Sequence, residues 1–386
     1  MTYSIIVPVF NRPDEVDELL QSLCQQTIKD FEVIIVEDGS TTPCKDVCEK
    51  YAGILDLHYY YKENSGPGQS RNYGAERAKG EWLIVLDSDV VLPSGYLRSL
   101  TPSPSPIGEG SGHTVSEDTA KPHTPLSNRR GVGDEAAFGG PDAAHPDFTP
   151  VQKAISYSMT SFFTTGGIRG GKGKKLDKFF PRSYNMGIRR EVYQELGGFS
   201  KMRFGEDIDF SYRIIEAGYK TALIPEAWVW HKRRTDFRKF FRQVYNSGIA
   251  RINLEKRHPG TLKLVHLLPT VFTVGTLTLL FIALIGLIFV LLGCFTASEP
   301  GCNPAPIIIL TGCCISFLAL SPLLFYSLVI CIDSSIQNRS LWVGLLSIPA
   351  AFTQLMGYGL GFIESWWKRC ILKQDEFTAF EKNFYK

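Results

Sequence analysis

Three stretches near the start of the chain share one layout, a short aliphatic run that ends in acidic or turn-forming residues. YSIIVPVF, FEVIIVEDGS and EWLIVLDSD read as buried strands, because their apolar residues run on without the alternation of a half-exposed strand. Between the first two, Pro13, Asp14 and Glu15 supply a helix start, and Val16, Leu19, Leu20 and Leu23 form a stripe at helical spacing. Gln69 to Lys79 predicts a further helix closed by Gly80. Buried strands separated by helices predict an α/β fold with a mostly parallel sheet wrapped in helices, and ligands beyond the carboxyl ends of the strands. The acids of EDGS and DSD are therefore expected on one rim.

The pattern then lapses. From Thr101 to Glu135 the chain is rich in Pro, Ser, Thr and Gly without apolar period, which predicts a loosely held insertion. Order is expected to resume at AFGGPDAAHPDFTP and to continue through a helix; GEDIDFSYRIIEAG predicts a helix with acids in its first turn and Gly218 as its stop, and TALIPEAWVWH predicts a last strand. Three long apolar stretches follow, Leu264 to Gly293, Ala305 to Ile332 and Leu341 to Ile363, each longer than the roughly 20 residues that cross a bilayer core. The expected organisation is a catalytic domain over 1–262 with the insertion at 101–135, a membrane region over 263–367, and a basic tail over 368–386. Arg251, Lys256, Arg257 and Lys263 precede the first span, and the loop CFTASEPGCNPAP carries no Lys or Arg. By the positive-inside rule this places the catalytic part on the cytoplasmic side of an inner membrane, as a multi-pass protein in contact with lipid. Three crossings would put the basic WWKRCILK outside, against the same rule, and Gly357, Gly359 and Gly361 leave a re-entrant or interfacial third segment open.

Composition changes this picture little. With 386 residues and a formal charge of +2, the chain has length for about two domains and no bulk charge for nucleic acid. Nine cysteines, several of them inside apolar runs, fit a reducing compartment. The opening MTYSIIVPVF lacks the features of a signal peptide. GGIRGGKGKK matches a phosphate-binding loop up to Lys172, but Gly173 stands where Ser or Thr is needed; a basic lid, a lipid contact or a solvated loop is expected instead.

The chemistry lies in the acids. Asp87 and Asp89, spaced Asp-x-Asp at a strand end, can hold a hard divalent cation, which in turn grips a diphosphate. SIIVPVFNR, VEDGS, GQSRNYGAERAKGEWLIVLDSD, NMGIRREVYQELGGF and GEDIDFSYRIIEAG occur in an order and spacing that resembles the family 2 glycosyltransferases of GT-A fold. The resemblance implies that Pro8 and Phe10 line a nucleotide pocket, that Asp38 accepts from the base, and that Arg71 lies near the donor diphosphate. It further implies that Asp87 and Asp89 form the metal motif, for a Mn2+ or Mg2+ ion; His231, at the end of TALIPEAWVWH, is expected as a third metal ligand, a contact to the diphosphate or a structural histidine. By the same resemblance Asp207 is the catalytic base; Glu206 beside it is expected to orient that base or an acceptor hydroxyl. The implied partners are a nucleotide-sugar donor and a lipid-linked or saccharide acceptor, joined by an inverting displacement. A processive polysaccharide synthase is an alternative, but Asn246 and Ser247 stand where its Arg and Trp are expected after Gln243. A non-catalytic membrane scaffold is another.

Overall fold

A computed structural model describes residues 2–101, 135–145, 147–165, 179–232, 235–297 and 305–379. Residues 102–134 of the expected insertion and the whole GGIRGGKGKK loop lie outside the described residues. Those described within 2–145 and 179–232 form one compact unit, and those within 147–165 and 235–379 form another.

The first unit begins β1 (Tyr3–Val9), α1 (Pro13–Cys24), β2 (Phe31–Asp38), α2 (Lys45–Tyr51), β3 (Asp56–Lys62), α3 (Pro67–Ala75) and β4 (Trp82–Leu86). After these come β5 (Val90–Val91), α4 (Tyr96–Leu100), β6 (Ala137–Gly139) and β7 (Asp142–Ala143). Helices α5 (Pro150–Thr160) and α6 (Phe162–Thr165) belong to the other unit. The first resumes with β8 (Asn185–Arg189), α7 (Arg190–Glu195), α8 (Glu206–Glu216), β9 (Thr221–Leu223) and β10 (Val229–His231). Every residue of β2 and β4 is buried, as their unbroken apolar runs require. Alternate residues of β1 serve opposite faces: Ile5, Val7 and Val9 pack with Val16, Leu19, Leu20 and Leu23 of α1, while Ile6 packs with Val36, Val85, Phe210 and Ile214.

Seven strands form one sheet in the order β3-β2-β1-β4-β8-β6-β9. The β1–β2, β2–β3 and β1–β4 pairs are parallel, so these four strands end on one rim. Strand β8 runs antiparallel to both β4 and β6, which makes the sheet mixed. The segment TALIPEAWVWH gives two strands rather than one. Pro225 has no N–H for a ladder, and Ala227 N–H closes a turn on Ile224 O at 3.1 Å. Beyond that turn β10 joins a second sheet, ordered β5-β10-β7.

In the second unit Thr149 and Gln152 form a capping box at the start of α5, and Asp236 caps α9 (Phe237–Arg257). The expected membrane segments are α10 (Leu268–Thr296), α11 (Ala305–Asn338) and α12 (Leu341–Trp366). Among the described residues these three helices are long and apolar enough to cross a membrane. Large apolar side chains such as Phe281 and Phe325 point outward from α10 and α11, as hydrocarbon-facing positions do. The chain is a multi-pass membrane protein. Pro269 sits in the first turn of α10, where its missing N–H costs nothing. Helix α12 is continuous through Gly357, Gly359 and Gly361, and these glycines admit close neighbours. A Cβ on Gly361 would stand 2.0 Å from Tyr245 O of α9, and one on Gly248 of α9 would stand 2.1 Å from Tyr358 O.

Candidate active site

Strand β4 delivers Asp87 and Asp89 to the rim, and strand pairing brings the histidine. Antiparallel pairing of β10 with β5 sets His231 opposite Val90, beside Asp89. The imidazole Nε2 lies 3.3 Å from Asp89 Oδ1. On its other side Nδ1 lies 3.8 Å from Asp142 Oδ2, contributed by β7, and the ring stacks on Tyr184 at 5.0 Å between centroids. One potential ligand atom each from Asp87, Asp89 and His231 fall within 4.8 Å of one another. Two carboxylate oxygens and an imidazole nitrogen suit a divalent ion such as Mn2+, and Asp87 is 32% exposed, so the cluster is open to a ligand. The three residues fit a divalent metal.

Arg71 is buried in the second turn of α3, which starts at Pro67, two residues before the expected Gln69. Its Nη2 donates to Asp87 Oδ1 and its Nη1 to Glu206 Oε1, both at 2.8 Å, and its guanidinium lies 5.2 Å from the Phe199 ring centroid. Burial opposes its charge, but Asp87 and Glu206 outweigh that and raise its pKa. Burial pushes Glu206 up to about 7 even against the pull of Arg71, and the adjacent Asp207 adds to the rise.

Glu206 and Asp207 open α8, where Gly205 at φ +85° turns the chain into the helix. Asp207 remains more open than Glu206, with 19% of its side chain exposed; Oδ1 accepts the Ile208 N–H and Oδ2 lies 3.5 Å from Arg182 Nη1. Asp38 closes a different set of contacts at the end of β2. Its Oδ1 accepts from Lys62 Nζ at 2.5 Å and Ser65 N–H at 2.9 Å, and its Oδ2 accepts Gly66 N–H at 2.9 Å. Pro8, paired with Val36, and Phe10, just past β1, are half-buried at the same rim.

The structure thus gathers Asp87, Asp89, His231, Arg71 and Glu206 into one contact network, adjoined by Asp207. It adds residues that spacing did not single out. Arg12 Nη1 lies 3.6 Å from Asp89 Oδ2, and Asp142 and Tyr184 flank His231. Arg12 ends the motif SIIVPVFNR two residues past Phe10, which is a usable signal; Asp142, Arg182 and Tyr184 reach the site only through pairings distant in sequence.

Family models describe two parts of the chain, Glycosyl transferase family 2 over residues 4–103 and Glycosyl transferase family group 2 over residues 178–351. A validoxylamine A glucosyltransferase from Streptomyces hygroscopicus is 28% identical over 247 residues, covering 58% of this chain and 54% of that protein. A pre-mycofactocin glycosyltransferase from Mycobacterium tuberculosis is 27% identical over 262 residues, covering 66% and 48%. The chain spans about half the length of the curated relatives it matches. A mannosyltransferase from Pyrobaculum calidifontis, solved with GDP-Man and Mn2+, has a similar fold at a TM-score of 0.52 and 13% identity, over 95% of this chain and 87% of that one. The chain has the family 2 glycosyltransferase fold, continued by C-terminal apolar helices.

Proposed function

We infer that the protein transfers one sugar from a nucleotide-diphosphate donor to a lipid-linked or polysaccharide acceptor at the membrane, with inversion at the anomeric carbon. The observation that carries this reading is the meeting of Asp87, Asp89 and His231 with the Arg71–Glu206 pair at one rim. A divalent cation held by Asp87, Asp89 and His231 would supply positive charge for the departing diphosphate. Arg71 holds Asp87 and Glu206 in fixed relation, its planar fork giving one nitrogen to each. Asp207, the more open of the two acids on α8, takes the proton of the acceptor hydroxyl, and Glu206 positions that end of the helix. One base and one stabilised leaving group suffice for direct displacement. Pro8, Phe10 and Asp38 stand at the strand ends where the nucleotide base would lie, with Asp38 also securing the loop into α3. Asn246, found where a processive synthase would carry Arg, is buried and accepts the Ala379 N–H at 3.0 Å, which favours single addition. The basic residues before α10 support a cytoplasmic-facing catalytic part in an inner membrane.

The test is Asp207→Asn assayed with UDP- and GDP-sugars and Mn2+. Turnover should fall by about 10²- to 10⁴-fold while donor binding, measured by thermal shift, persists. Turnover at the wild-type rate would remove Asp207 from the mechanism.

A further inference from the structure

At the opposite ends of the same strands, three side chains meet that sugar transfer does not use. Parallel pairing sets Glu32 of β2 opposite Asp56, the first residue of β3, and His58 follows Asp56 by two residues, so all three share one face of the sheet. His58 Nε2 lies 3.2 Å from Asp56 Oδ1 and 3.5 Å from Glu32 Oε2. One ligating atom from each of the three falls within 4.8 Å of the others.

Glu32 is the informative member. Its side chain is only 6% exposed, and its Oε1 is engaged by Ser4 Oγ and by the Lys79 N–H, both at 2.6 Å. Its Oε2 faces His58 Nε2, and both atoms are shut off from solvent without completing a hydrogen bond. A buried carboxylate oxygen left in that state costs free energy unless a cation or a proton lies between the pair.

We propose that Glu32, Asp56 and His58 form a second divalent-metal site with the chemistry of zinc. Separations of 3.2 and 3.5 Å match the roughly 3.4 Å edges of a tetrahedron whose bonds are about 2.0 to 2.1 Å long. An imidazole with two carboxylates suits zinc better than magnesium, which keeps to oxygen ligands. Asp56 is 64% exposed, so solvent can supply the fourth ligand. Asp38 lies six positions along β2 from Glu32, about 20 Å on a strand, so this ion stands clear of the transfer site. Its effect is to clip the edge strand β3 to β2.

The site is tested in the full chain in detergent, with Asp87→Asn and Asp89→Asn present so that binding at the other rim does not enter the reading. After equilibration with micromolar Zn2+ and desalting, mass spectrometry should count about one zinc per chain, and Tm should rise with added zinc. Adding His58→Ala or Asp56→Asn should abolish the retained zinc and the rise in Tm. Both residues are partly exposed, and an unchanged circular dichroism spectrum verifies that the variants fold. Cobalt substitution should give the intense visible absorption of a four-coordinate ion, lost in the same variants. Failure to retain zinc in the Asp87→Asn/Asp89→Asn chain, or equal retention after His58→Ala, overturns the proposal.

Discussion

Asp38 and Asp87 end two strands that flank β1 in one sheet, yet the fold treats them differently. Asp38 is 4% exposed and receives three donors from its own neighbourhood, two backbone N–H groups and the Lys62 ammonium. Asp87 is 32% exposed and is held by Arg71 through one oxygen. A carboxylate that already accepts three donors from the loop beside it has little capacity left, whereas one pinned on a single side keeps more for a ligand. Place at a strand end does not assign the role; the number of donors already committed does.

The largest effect should come from the acids of the metal cluster. Asp87→Asn with Asp89→Asn should lower turnover by about 10³-fold, equivalent to about 4 kcal/mol, and shift Tm little. Initial rates with labelled donor and a melting curve check both halves, and a variant that unfolds would erase the contrast with Asp38. Asp38→Ala should instead destabilise the first unit by about 3 kcal/mol, since it leaves Lys62 with neutral partners in place of its carboxylate and removes the acceptor of two N–H groups. Urea unfolding measures this. An unmoved midpoint with weakened donor binding would move Asp38 to the ligand side.

The smallest effect is one of pH. Glu206 has a folded pKa of about 7 against its ordinary 4.5, so between those values the folded chain keeps a proton that the unfolded chain releases. That contribution to stability is present in full below about pH 4.5 and is lost as pH rises through 7, at no more than about 1.4 kcal/mol per pH unit. Glu206→Gln should flatten the Tm profile between pH 5 and 8. An unchanged slope would assign the dependence to other groups.

How much of this was legible in the sequence follows the same division between local and distant causes. The strands β1, β2 and β4 were legible because burial on both faces demands uninterrupted aliphatic residues, and the rim acids followed from parallel pairing. The three membrane helices were legible from length and lack of charge. Strand β8 was not, since NMGIR is short and takes its place only by pairing with β4 and β6. The split of TALIPEAWVWH was written in Pro225, although the apolar residues on both sides conceal it. The engagement of Asp38 by Lys62, Ser65 and Gly66 spans 24 to 28 residues, and no periodicity encodes a loop folding back that far. The meeting of Asp142 with His231 likewise depends on β7 and β10 becoming neighbours.

Where Gly248 and Gly361 sit, α9 and α12 touch main chain to main chain, with no side-chain cushion to absorb slippage. Two rods joined that tightly tilt together. A bilayer thick or thin enough to rock α12 must therefore swing the polar α9 with it, so lipid composition has a mechanical handle on the polar end of the membrane unit.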